Sequence, residues 1–230
     1  MLPEGDLGLL MRRKVEPMAR GLFPHAEQDA VLGMLARSIF FVTTENIEAL
    51  LLGHGWNHSA WDLADLYLGS LGAELLDAYA LGLVGLSEET TCYVSPEYFG
   101  EQDPFADFII HEAAHIFHNC KRGRVGLRET RAREWLLDID YRKRETFAYS
   151  CEAYARMMAL ASSPAERRRF ADQFTGTMHI SEERVDHAEV AEIVQAAVQA
   201  RNGWKVILKR CEPTIRHQPA LARASAEIHR

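Results

Sequence analysis

At 230 residues the chain is long enough to bury a sizeable core in one domain, and 47% hydrophobic with 26% charged residues is the balance of an ordinary globular protein. A formal net charge of -7 argues against nucleic acid as the default partner. No stretch approaches the roughly 20 apolar residues of a membrane span, and Met1 to Met18, apolar only over Leu7 to Met11, lacks the pattern of a signal peptide. Cys92, Cys120, Cys151 and Cys211 are scattered without C-x-x-C spacing, which predicts free buried thiols in a reducing cytoplasm rather than a disulfide framework or a cysteine zinc site.

Residues 26–37, with Val31, Leu32, Met34 and Leu35 at helical spacing, predict a first helix. Ser38 to Thr43 is short, apolar and β-branched and predicts a strand, with a continued helix as the alternative. Asn46 to Leu52 reads as a helix stopped by Gly53 and Gly55, and Ser59 with Asp62 fits a capping box opening another through Leu68. His54 and His58 are four apart, but they flank Gly55 and Asn57 in an expected turn with no glutamate beside them, so a structural or solvent role is expected. Residues 71–87, apolar and punctuated by glycine, carry no assignment. Thr90 to Ser95 has strand composition and is bounded by Glu88-Glu89 and Pro96.

The stretch from Asp103 to Asn119 reads as one helix, with Asp103 as cap, Pro104 at the first position, and Lys121, Arg122 and Gly123 as a basic end and stop. On it His111 and His115 are one turn apart, so their imidazoles project from one face and can hold a single zinc ion. Glu112 lies one step round, within reach of a metal-bound water. This is the His-Glu-x-x-His arrangement of the zincins, the zinc metalloproteases. The chain's own His and Glu frequencies give roughly a 4% expectation of one such pentad at random, so its helical context has to carry the reading.

Residues 121–144 hold nine Lys or Arg against four Asp or Glu. Arg128, Glu129, Arg131, Arg133 and Glu134 suggest a solvated helical face, the alternative being a basic insert that borders the cleft and favours acidic substrate. Trp135 to Asp140 reads as a short strand. From Arg144 a second helix is expected, with Phe147, Ala148, Cys151, Ala155 and Met158 on an apolar stripe and Glu145, Tyr149 and Glu152 opposite. Ser163 with Glu166 fits a capping box for a helix to Phe174. Ser181 is the expected cap of a longer helix through Arg201, stopped by Asn202-Gly203. Trp204 to Cys211 reads as one more short element, and the tail from Pro213 as irregular.

Two histidines rarely hold zinc alone, and Glu145 is the best third ligand. In this the chain resembles the gluzincins, whose motif helix is followed by a second helix bearing a glutamate ligand. In the zinc aminopeptidases of that group the glutamate is followed by Gly-Phe-Ala, and here Glu145 is followed by Thr-Phe-Ala. The likeness covers about 45 residues, Phe105 to Tyr149, with 29 residues between His115 and Glu145, more than is usual in the aminopeptidases. Their exopeptidase signature is absent, and Tyr149 stands where thermolysin-type members carry an aspartate. The resemblance implies zinc on His111, His115 and Glu145, with Glu112 as general base in peptide-bond hydrolysis. It also implies an edge strand above the motif helix, for which residues 90–95 are the natural candidate, a plain core strand being the alternative. Tyr149 and His118 are weighed as donors to a developing oxyanion against simple helix-surface hydrogen bonding. Glu152 is a reserve third ligand, or else an acceptor for a ligand histidine's other N–H.

The expectation is therefore an α+β, zincin-like, mostly helical single domain over residues 1–230, with a small sheet near 38–43, 90–95 and 135–140 packed on the motif helix and a helical C-terminal part over about 164–211. The expected activity is that of a cytoplasmic zinc metallopeptidase acting on peptide or protein, with neither nucleic acid nor membrane as partner and the oligomeric state open. A non-proteolytic zincin-like metal-binding or regulatory protein is the first alternative. A helical scaffold with two surface histidines is the second.

Overall fold

The computed structural model describes residues 7–54, 58–77, 83–88, 90–131, 133–177 and 185–213. Within them the chain is mostly helical with one small mixed sheet. The order is α1 (Leu7–Leu22), α2 (His25–Leu35), β1 (Ile39–Phe41), α3 (Ile47–His54), α4 (His58–Ser70), β2 (Gly85–Glu88) and β3 (Thr91–Val94). Then come α5 (Phe108–Asn119), α6 (Arg144–Leu160), α7 (Pro164–Thr177), α8 (His187–Gln199) and α9 (Gly203–Cys211). No described helix is long and apolar enough to cross a membrane. All four cysteines are free and buried.

α5 is buried on nearly every side, with Ile109, Ile110, Ala113, Ala114, Ile116 and Phe117 all in the main core. Its polar residues Glu112, His115 and His118 are buried along with the apolar ones, which requires partners for each of them. α6 packs along it, β2 and β3 cover it, and α1 closes another side. α1 buries Met11, Val15, Met18, Ala19 and Leu22 as a helical stripe and carries Pro17 inside it. The sequence reading made no helix here. Proline inside a helix normally argues against one, and the buried stripe overrides it. α7, α8 and α9 pack behind α6, where Tyr154 meets Trp204 edge-on at 4.8 Å.

The strand order is β1-β3-β2, with β1 parallel and β2 antiparallel to β3. Period-two alternation divides β3 between two layers. Cys92 and Val94 join the main core, while Tyr93 packs with Val42, Leu63 and Leu66 in a second cluster under α3 and α4. The expected edge strand at 90–95 is thus the central one, and the outer strand over α5 is β2, from the unassigned 71–87 stretch. The register Gly85↔Val94 and Ser87↔Cys92 puts Gly85 and Ser87 on the face towards α5.

Several local expectations give way to tertiary partners. Residues 135–140 are not a strand, because after an isolated bridge from Trp135 to Lys121 the Leu136 and Leu137 N–H groups bond back to Cys120 and Phe117 at the end of α5. Nor do the described residues of 128–134 form a helix. The buried Arg122 guanidinium pairs with Glu27 at 2.6 Å and takes the Arg128 carbonyl at 3.0 Å, folding the basic run around itself. Asp103 caps a turn, accepting from the Phe105 N–H at 2.8 Å, and α5 starts later, after Asp107. Ser59 lies inside α4 and donates to Glu88 at 2.9 Å, tying that helix to β2. α8 is capped by Asp186, which accepts from Ala188 and Glu189, while Ser181 lies outside the described residues. The tail from 214 also lies outside them.

Candidate metal centre

α5 brings His111 and His115 together with their Nε2 atoms 3.2 Å apart. Glu145, in the first turn of α6, places Oε2 at 3.6 Å from the first and 3.4 Å from the second. Among the described residues this is the one place where three such donors converge. Zinc held tetrahedrally by bonds of about 2.0–2.1 Å separates its ligands by about 3.3–3.4 Å. The triangle's edges of 3.2, 3.4 and 3.6 Å lie around that separation, and two imidazoles with one carboxylate are a donor set suited to zinc.

Each histidine is turned by its other nitrogen. His111 Nδ1 is 3.0 Å from Glu152 Oε2, and Glu152 Oε1 accepts the Asp107 N–H at 2.6 Å. Asp107 is held in turn by Lys14 at 2.5 Å and by the Tyr98 hydroxyl at 3.1 Å. A carboxylate only accepts, so Nδ1 of His111 carries the proton and Nε2 faces the triangle. His115 Nδ1 lies 3.0 Å from His118 Nε2, and His118 Nδ1 lies 3.0 Å from Asn119 Oδ1. The network that satisfies all of these has His118 donating to Asn119 and accepting from His115, which leaves His115 Nε2 with its lone pair. Glu152 therefore stands behind His111, away from the triangle, and His118 stands behind His115. Tyr149 packs edge-on against His111 with ring centroids 4.5 Å apart.

Without a metal the donors share protons. Burial opposes a charged His111, but hydrogen bonds to Glu145 and Glu152 override it and hold its pKa up at about 10. Burial likewise opposes the Glu145 carboxylate, and hydrogen bonds from His111 and His115 hold it below the usual carboxylate range. His118 is pushed down to about 3, first by burial and then by charge at His115 and Arg144, so it stays neutral.

Glu112 is buried between α5 and β2. Burial raises its pKa, against the pull of His111, His115 and a hydrogen bond from Ser87. A Cβ on Gly85 would come within 2.7 Å of Glu112 Oε1, so the glycine is what lets the strand lie so close. The groups open on a cleft of about 730 Å³ lined also by Ser87, His118, Tyr141, Arg142 and Arg144. The sequence reading missed Gly85 and Ser87, and the glycine within a short apolar run was their only signal. It also missed Tyr141, Arg142 and Arg144 as individual residues, although their place directly before Glu145 carries them to the same rim. Of the basic segment 121–144, these last two arginines border the cleft, while Arg122 is buried elsewhere. His54 closes α3 and His58 opens α4, while the turn expected at Gly55 and Asn57 and both histidine side chains lie outside the described residues. No model of a known protein family, no curated protein and no solved structure matches this chain, so the chemistry of the site comes from its own donor atoms.

Proposed function

We propose that the chain is a zinc-dependent peptidase with a zincin-like centre, hydrolysing peptide bonds in the cleft between α5, β2 and the start of α6. The observation that carries this reading is the donor triangle, three atoms of the types zinc prefers within a few tenths of an ångström of the separations of a tetrahedral face, beside a buried carboxylate outside it. Zinc held there supplies a Lewis acid that polarises a carbonyl and brings the pKa of water to about 7.

The remaining work belongs to the chain's own residues. As the water oxygen bonds to the acyl carbon, Glu112 takes its proton. As the C–N bond breaks, Glu112 delivers that proton to the nitrogen, so water adds across the bond and the carboxylate returns to its starting state. Burial strengthens the hold of Glu112 on a proton, which suits a group that must carry one between two steps. Glu152 and His118 keep both histidines aimed, and β2, the outer strand beside the cleft, offers backbone groups along which an extended peptide can lie.

The test is elemental analysis of the purified, untagged chain beside a hydrolysis assay on a mixed peptide pool. About one zinc per chain is expected, lost in His111→Ala and in Glu145→Ala. Glu112→Gln should keep its zinc and lose about 10²–10⁴-fold in rate. A zinc-loaded wild type that cleaves nothing would leave a non-proteolytic metal-binding protein, and failure to take up zinc would sink the metal centre.

A further inference from the structure

Three consecutive cations lead into α6, and they part company there. Lys143 turns to α8, where its ammonium donates to Glu189. Arg142 and Arg144, on either side of it, line the cleft beside the metal centre. The Arg144 guanidinium carbon lies over the Tyr141 ring, 5.0 Å from its centroid, and its Nε is buried with no hydrogen-bond partner. Among the described residues neither guanidinium has an ion-pair partner. The two carboxylates of the cleft are already engaged, Glu145 with the histidines and Glu112 with Ser87. Two unpaired guanidinium forks at the rim of a cleft match a planar anion, and a buried N–H without a partner is costly until something accepts from it.

We propose that Arg142 and Arg144 form a carboxylate-binding subsite, so that the preferred substrate is a peptide bearing a carboxylate close to the bond to be cleaved. This rests on the peptidase reading of the same cleft. The carboxylate has two sources, a free C-terminus or an acidic side chain, and both present the same pair of oxygens to the forks.

The deciding measurement is calorimetric binding to the full Glu112→Gln chain, with and without zinc, which holds peptide without consuming it. The probes are acetyl-Ala-Ala-Ala-Ala with a free C-terminus, its C-terminal amide, and the amidated acetyl-Ala-Ala-Glu-Ala and acetyl-Ala-Ala-Gln-Ala. At least one charged peptide should bind about ten-fold more tightly than its neutral counterpart. Adding Arg142→Ala and Arg144→Ala should bring that ratio to about one with zinc content unchanged, and Arg142→Ala alone, at an exposed position, should lower it. Preference for the free C-terminus identifies a main-chain carboxylate, and preference for the Glu peptide an acidic side chain. Equal binding of charged and neutral peptides, or a preference that survives the double substitution, overturns the proposal. Absence of hydrolysis by the wild type would remove the peptidase reading and leave the subsite standing, while hydrolysis without carboxylate preference would do the reverse.

Discussion

His111 and His115 present Nε2 to a common point because each has its Nδ1–H engaged, by Glu152 in one case and His118 in the other. The two supports differ in kind. Glu152 bears a negative charge that strengthens its histidine as a donor to a metal, whereas neutral His118 supplies only orientation and donates its own N–H to Asn119 Oδ1. Replacing either support by a side chain of broadly similar size should therefore weaken metal binding and leave the fold intact. Glu152→Gln and His118→Phe are each expected to lower zinc affinity by about 10–100-fold in competition with a chelating dye, with Glu152→Gln the larger because it also removes charge. An unchanged affinity in both would mean that packing alone, such as the Tyr149 ring against His111, aims the imidazoles.

At the scale of elements, β2 and α5 approach each other through a glycine. A methyl group at position 85 would meet Glu112 at Oε1 and Cγ, at 2.7 and 2.8 Å, and the three atoms nearest to it all belong to Glu112, none to the donor triangle of His111, His115 and Glu145. Gly85→Ala should thus displace Glu112, the proposed general base, while zinc stays bound, and about 10²-fold slower hydrolysis at unchanged zinc content is the expected outcome. The same pair of elements marks where sequence stops being legible. α5 could be read because its apolar residues and the pentad share one helical period, and Glu145 because Phe147-Ala148 follow it at the start of an amphipathic helix. β2 could not, since Gly-Leu-Ser-Glu has neither alternation nor β-branched residues and becomes a strand only by pairing with β3. Leu136, Leu137 and Ile139 misled in the opposite sense. Their apolarity serves a buried strap stitched to the end of α5, and a short apolar run looks the same in either role.

For the whole molecule the question is whether metal makes the fold or occupies it. The donors come from α5 and α6, whose other residues fill a core shared with α1, α2, α7, α8 and α9, so the metal-free chain should unfold cooperatively, unlike a zinc finger. In that state protonated His111 facing Glu145 takes the place of the cation. His111 is raised from 6.5 to about 10, so its stabilisation is complete below pH 6.5 and is lost as pH rises through about 10. Glu145 is depressed, so its contribution is present above its ordinary 4.5 and is lost as pH falls through its lower folded value. The metal-free chain therefore benefits most from the pair between pH 4.5 and 6.5, and its melting midpoint should fall as pH rises from there. Zinc has to displace the His111 proton, so its apparent affinity should rise about ten-fold per pH unit as pH climbs from 6.5 towards about 10. Free zinc at a hundred times its Kd should add about 2.7 kcal/mol. Melting curves with and without zinc across about pH 6 to 9 check both signs, with a gap that widens with pH in the wild type and is absent in His111→Ala. A gap independent of pH would mean that no proton leaves on binding, and a metal-free chain without a cooperative transition would make zinc part of the fold itself.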